Sequence, residues 1–188
     1  MTRRCPWAGP EPIYIDYHDR EWGRPLHDDR ALFELLVLEG MQAGLSWITV
    51  LKKREAFRRA FDGFDPERVA RYDEAKLQAL LENPEIIRNR RKLRAAVQNA
   101  RAFLEVQRAY GSFDRFLWAY VDNVPIVNSP AGPEDIPVST PLSEKISRDL
   151  KKLGFAFVGP TIVYSFLQAA GLVDDHMIWC SCHVSRRA

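Results

Sequence analysis

Residues 149–171 read DLKKLGFAFVGPTIVYSFLQAAG, and this stretch decides the fold class. A basic amphipathic segment stops at Gly154, glycine being the usual residue just past a helix end. The residues FAFVG, 155–159, follow as a short hairpin, and Pro160 then opens a new helix at the position where its missing N–H is harmless. The pattern is helix, hairpin, helix. Without side chains at Gly154 and Gly159, backbone N–H groups can approach an anion closely, as at phosphate-binding turns near helix N-termini. An ordinary connection between two helices has the same composition, so the stretch alone leaves both readings open.

Outward from this motif, helical periodicity dominates. Asp28 or Asp29 caps a helix to about residue 41, Ser46 opens another to about Phe61, and Pro84 precedes a long one through Tyr110. Further helices are expected at about 65–82, 113–121, 142–153 and 161–171, with Gly111, Gly154 and Gly171 as stops. Strand alternation is nearly absent. The reading is an all-α bundle whose two helical halves are joined by the proline-rich loop NSPAGPEDIPVSTP, residues 128–141.

A chain of 188 residues, 46% hydrophobic, is long enough for one substantial core, and residues 1–188 are read as a single globular unit. Its formal charge of +2 is compatible with a nucleic-acid partner and gives that idea only weak support. The N-terminus lacks the apolar segment of a secretory signal. The most apolar run, residues 32–51, is interrupted by Glu34, Glu39, Gly40, Gln42 and Gly44, so it reads as buried core helices rather than a membrane span. A soluble, cytoplasmic protein without a membrane partner is expected, and no signal for an oligomer argues against a monomer.

Three cysteines, Cys5, Cys180 and Cys182, make no closed disulfide framework, and metal ligation or plain packing is the better reading. The tail VDDHMIWCSC, residues 173–182, crowds two of them beside His176. If residues 174–180 are helical, His176 and Cys180 share one face at i and i+4. The other end of the chain offers Cys5 in RRCPW and His18 in DYHDREW. Two thiolates and two imidazoles suit a tetrahedral zinc ion in a closed, structural shell that pins the two ends together. Cys182 and His183 are rival ligands, and each of these residues is also an ordinary buried side chain when met singly. His27 has no obvious partner and is read as surface.

Trp7, Tyr14, Tyr17 and Trp22 crowd the same N-terminal segment. Rings held rigidly there could stack on a nucleobase, or serve as core. Glu39 is the sharper anomaly. It lies at i+7 from Leu32, i+4 from Leu35 and i+3 from Leu36, so its carboxylate projects from an apolar helix face. It has either a structural partner or a ligand that supplies donors. The basic cluster RNRRKLR, residues 88–94, with Lys52, Lys53, Lys151 and Lys152, could contact phosphates or form solvated faces.

The ordered blocks RCPW, IYIDYHDREWG, LFELLVLEGMQAGLSWITVLKKRE, EIIRNRRKL, GFAFVGPTIVYSF and GLVDDH resemble the bacterial 3-methyladenine DNA glycosylase I family, a branch of the helix-hairpin-helix glycosylases. The likeness runs from Cys5 to about Cys180. It implies an all-α enzyme that flips 3-methyladenine out of alkylated double-stranded DNA and cuts its N-glycosidic bond, releasing the base. It implies a structural Zn2+ on Cys5, His18, His176 and Cys180. The base pocket would comprise Glu39, Tyr17 and Trp47, with Trp7 and Tyr14 nearby. Gly44 and Leu45 match the segment that enters the DNA where the base leaves, and the hairpin between Gly154 and Gly159 would hold the backbone. One departure is Ser181, where family members can have a further cysteine. Asp174 and Asp175 follow the hairpin, and Asp175 is expected to support His176. The rivals are a non-catalytic module that recognises DNA structure and a zinc hydrolase with an open coordination position.

Overall fold

The structure, a computed structural model, describes residues 3–187. Ten helices account for most of them: α1 Pro12–Arg20, α2 Asp29–Gln42, α3 Trp47–Lys52, α4 Arg54–Ala60, α5 Pro66–Val69, α6 Glu74–Glu82, α7 Arg90–Tyr110, α8 Phe113–Trp118, α9 Pro141–Lys152 and α10 Pro160–Ala169. The sheet content among these residues is one parallel pair, β1 Ile126–Val127 against β2 Val173–Asp174. The all-α expectation holds.

Local chemistry explains most helix ends. The Asp28 carboxylate accepts the Ala31 N–H at 2.8 Å, and Ser112 accepts that of Arg115 at 3.0 Å. Thr140 and Ser143 cap each other reciprocally ahead of α9. Three expected helices differ in detail. Asp65 and Asp73 each cap a helix, so the single segment expected over 65–82 becomes α5 and α6. The segment from Ser46 to Phe61 breaks at Lys53, whose ammonium donates to the carbonyls of Pro84 and Glu85 at 3.3 and 3.0 Å. Asn89 accepts the Lys92 N–H, delaying α7 to Arg90. Helix α1, opened by Pro12, was not among the expected helices although proline at a first helical position signals one.

The core is organised around α2, buried on every side from Leu32 to Met41 and packed against α7 and α10. A helix apolar all round belongs in a core. It nevertheless carries two buried carboxylates, Glu34 and Glu39.

The motif that opened the sequence reading folds as expected. Helix α9 ends at Gly154 with φ +93°, the Phe155 N–H returning to Leu150 O at 3.0 Å and the Gly154 N–H to Lys151 O at 3.1 Å. After the hairpin, Gly159 precedes Pro160 at the start of α10. Helix α10 ends in the same way at Gly171, φ +72°. A Cβ on Gly171 would lie 2.1 Å from the carbonyl carbon of Arg24 and 2.2 Å from its oxygen, so neither conformation nor space admits a side chain. Gly171→Ala is expected to destabilise the fold by about 3 kcal/mol or more, read as a lower urea midpoint with an unchanged denaturant slope.

Beyond Gly171 the chain departs from expectation. Residues 173–174 pair with 126–127, and 175–182 run as loop and turns, not as a helix. His176 and Cys180 are therefore not neighbours on a helical face. The β1 pairing pulls the backbone into an extended path, and loop geometry places both side chains.

Candidate functional site

Helices α1, α2, α3 and α10, with Trp7, Trp22 and Ile136 from the segments outside them, form an open cavity of about 210 Å³ lined also by Tyr14, Tyr17, Glu39, Gln42, Trp47, Ser165 and Gln168. That is below the roughly 300–1,000 Å³ of pockets for drug-sized ligands and suits one small planar molecule. The aromatic walls brace one another: Trp7 sits 5.2 Å from Tyr14 and 4.8 Å from Trp22, centroid to centroid, and Tyr17 lies 5.5 Å from Trp47.

The two buried carboxylates of α2 have opposite fates. Glu34 receives hydrogen bonds from Arg54 and Arg58, the latter at 2.9–3.1 Å. Glu39, five residues on and only 4% exposed, is pushed up to about 8 by burial alone. Burial and then the nearby Glu39 also raise the Tyr14 and Tyr17 hydroxyls. The indole Nε1 of Trp47 is fully buried without an acceptor among the described residues. Unsatisfied polar groups buried in one cavity are costly unless a ligand completes them.

A second cavity, about 180 Å³, shares Glu39, Gln42 and Ser165 with the first and continues past Ala43, Gly44 and Leu45 to Thr161 and Ile162 of α10. Gly44 has φ +79° with nothing within 4 Å of its Cβ position, so conformation rather than space demands glycine. Leu45 is 42% exposed at the tip of this turn. Gly159 has an ordinary φ of −63° and an open Cβ position, so nothing in the chain itself requires a glycine there. A larger groove of about 700 Å³ between α6 and α7 is lined by Glu74, Arg94, Arg101 and Glu105 among others. Within it Arg94 pairs with Glu74 at 3.0 Å and Arg101 donates to the Ala70 carbonyl at 2.9 Å.

The chain ends meet beside the first cavity. One ligand atom each of His18, His176, Cys180 and Cys182 lie within 4.8 Å of one another, all four residues buried. Cys180 Sγ is 3.6 Å from His18 Nε2, close to the edge of a tetrahedron with zinc bonds of about 2.0–2.3 Å. The donor set therefore fits a metal ion. Cys5 adjoins it, its N–H 3.3 Å from His18 Nε2 and its thiol beside that of Cys180, whose proximity raises the Cys5 thiol and lowers that of Cys180. His183 is not a member: Asn128 O and Ser129 Oγ engage its Nε2, and Ser185 its Nδ1. His27 is exposed and bonded to Asp114.

Both cluster histidines present Nε2 inward because a carboxylate holds Nδ1, Asp19 on His18 and Asp174 on His176, each at 2.7 Å. Arg4 hydrogen bonds hold the Asp19 carboxyl down at about 2 against the opposing effect of burial. The expected supporter of His176, Asp175, is corrected to Asp174. Asp175 faces the other way, accepting from Tyr164, from Gln168 at 2.7 Å and from Asn128 at 2.7 Å.

The structure thus brings Trp7, Tyr14, Tyr17, Glu39 and Trp47 into one cavity, and His18, His176 and Cys180 into one cluster. Sequence reasoning missed Gln42, Ile136, Ser165 and Gln168 as lining residues. Only an i+3 relation to Glu39 along α2 could have pointed to Gln42.

The methyladenine glycosylase family matches residues 7–183. The chain is 49% identical over 185 residues to the DNA-3-methyladenine glycosylase of Haemophilus influenzae, covering 98% of this chain and all of that one. It is 49% identical over 180 residues to the DNA-3-methyladenine glycosylase 1 of Escherichia coli, covering 96% of each. A solved 3-methyladenine DNA glycosylase I variant, in complex with 3-methyladenine, superposes with a TM-score of 0.93 at 43% identity over 96% of this chain and 97% of that one. With matched segments that span nearly the whole chain and a fold that superposes along with them, this protein belongs to the methyladenine glycosylase family.

Proposed function

We propose that the chain is a DNA repair glycosylase that flips 3-methyladenine out of alkylated double-stranded DNA, hydrolyses its N-glycosidic bond and leaves an abasic site. The observation that carries this reading is Glu39, a buried carboxyl without a hydrogen-bond or ion-pair partner among the described residues, at the wall of an aromatic, purine-sized cavity. A phosphate-binding module has no use for it. A solved relative holding 3-methyladenine supports the choice of base.

In this reading Glu39 and the Tyr17 hydroxyl receive the edge of the base and Trp47 stacks on its face, with Trp7 and Tyr14 closing the aromatic wall. Leu45, on the Gly44 turn, enters the duplex where the base leaves, and the N–H groups between Gly154 and Gly159 grip the backbone. Glycine at 159, required by nothing in the chain, leaves room for a phosphate. Flipping costs roughly a few kcal/mol and least for a damaged base. A base methylated at N3 is cationic in the nucleotide. When the bond to the sugar breaks, the electron pair departs with the base and neutralises it, so no proton need be supplied. The oxocarbenium-like sugar is then captured by water. Asp175 takes no part, since three donors already occupy it.

The Cys and His cluster suits one structural zinc ion, which would tie the ends of the chain behind the aromatic wall, held by Cys5, His18, His176 and Cys180. A shell of four protein ligands has no open position for a zinc-activated water. The reading carries with it a monomer acting in the cytoplasm; no helix among the described residues is long and apolar enough to cross a membrane.

The test is release of free base from methylated duplex DNA, resolved by chromatography. Release of 3-methyladenine without 7-methylguanine is the expected result. Folded, zinc-loaded protein that releases no base would instead leave a module that binds DNA structure.

A further inference from the structure

Within the basic cluster 88–94, Lys92 behaves unlike its neighbours. The arginines at 88, 90, 91 and 94 are exposed, whereas Lys92 is only 8% exposed. Its ammonium does not face solvent or phosphate. It donates to Met41 O, in the last turn of α2, at 2.8 Å and to Ala43 O, just past its end, at 2.6 Å. A cation there satisfies carbonyls that the helix leaves without partners and complements the negative end of its dipole.

Two helical turns further along α7, and on the same face, Asn99 does the equivalent for the hairpin. It donates to Ala156 O at 2.9 Å and accepts the Ala156 N–H at 2.7 Å, as a neighbouring strand would. Gln98 adds a bond to Gly154 O at 2.6 Å. Phe157 of the hairpin in turn approaches α2 at Gly40, where an added Cβ would come within 3.5 Å of it. The gap along this seam is about 10 Å³, too small for a ligand. A single helix therefore grips both loops through buried side chains set about 10.5 Å apart along its axis.

We propose that α7 is a spacer that fixes the Ala43–Leu45 turn and the 154–159 hairpin at one separation, with Lys92 and Asn99 as positioning residues that let Leu45 and the hairpin engage the same duplex together. This rests on the reading of the chain as a base-flipping glycosylase. Neither residue lines the base cavity, so their work concerns extrusion of the base and not its recognition.

The experiment measures 3-methyladenine release from methylated duplex DNA by wild type, Lys92→Met, Leu45→Ala and the double variant, with binding of free 3-methyladenine followed by tryptophan fluorescence. Lys92→Met is expected to lower duplex excision at least about tenfold, as small misplacements of positioned groups do, while its free-base affinity stays within about twofold of wild type. In the Leu45→Ala background the same substitution is expected to lower excision by less than about threefold, because two residues acting through one element are not additive. Additive losses, unchanged duplex excision, or a parallel loss of free-base binding would each overturn the spacer. If Lys92→Met does not fold, Lys92→Gln, which keeps one donor for the two carbonyls, carries the same cycle. Absence of release by wild type would overturn the glycosylase reading itself, a result separate from any behaviour of Lys92.

Discussion

A Glu39→Gln protein is expected to lose about a hundredfold or more of its 3-methyladenine excision, the scale seen when one preorganised electrostatic contact to a reacting group is removed, and to become more stable than wild type at pH 8. Both effects follow from one placement. Glu39 is the carboxyl of α2 that has no partner among the described residues, and burial has raised it from an ordinary 4.5 to about 8. Between those values the folded protein holds a proton that the unfolded chain has lost, so stability falls as pH rises through this window and levels off above it. Glutamine does not titrate. Its stabilising effect should be absent below about pH 4.5, grow across the window and reach on the order of a few kcal/mol above pH 8. Urea unfolding at pH 5 and pH 8.5 measures it.

The same titration predicts the pH dependence of catalysis. A cationic base is held by the carboxylate and not by the neutral acid, so kcat/KM for wild type should rise about tenfold per pH unit and flatten near pH 8, since kcat/KM reports ionisations of the free enzyme. The rising limb should vanish in Glu39→Gln. Full excision activity in the variant, with the limb intact, would remove Glu39 from the pocket assignment. The contrast with Glu34 sharpens the argument: that carboxylate has two arginines and no cavity, and its role is structural.

How far the sequence alone reached follows from the range of the interactions involved. Glu39 was legible because helical periodicity is local: three leucines at i−7, i−4 and i−3 suffice to place its side chain inward. Gly154, Gly159 and Pro160 were legible for the same reason, each acting on its own turn. Helix boundaries failed where a side chain overrode the periodicity, as Asn89 does for α7 and the lysine at 53 does between α3 and α4. The tail was illegible. Whether residues 174–180 coil or extend is decided by pairing with Ile126 and Val127, some fifty residues away, and this also turns Asp174 rather than Asp175 onto His176. Ile136 and Gln168 reach the cavity by tertiary placement alone, and no local pattern announces that. In the sequence Lys92 is one of a charged run; only its burial separates it from the arginines around it.

Removal of metal is the second large effect expected. With free zinc about a thousandfold above Kd, a bound ion adds about 4 kcal/mol to the folded state, and in a chain of this size that raises Tm by about 8–16 °C. Chelation should abolish the increment, and metal analysis should find one zinc per chain before it. The fourth ligand is the discriminating question, because Cys182 lies within the group formed with His18, His176 and Cys180 while Cys5 adjoins it. Geometry separates their surroundings. The Cys5 thiol lies beside that of Cys180, with its backbone N–H 3.3 Å from His18 Nε2, whereas the Cys182 thiol faces the Asp19 carboxylate at 3.6 Å, the group that orients His18. A thiol donating to that carboxylate supports the histidine from behind. Cys5→Ser should therefore lose the zinc and the whole increment in Tm, while Cys182→Ser should keep the ion with affinity lowered by about ten- to a hundredfold, as for a lost supporting contact. Loss of the ion from Cys182→Ser and its retention in Cys5→Ser would reverse the assignment, leaving Cys5 as a packed thiol against the cluster. In either case a bound ion would tie α1, through His18, to the residues after β2, beside Trp7 and Trp22 of the aromatic wall.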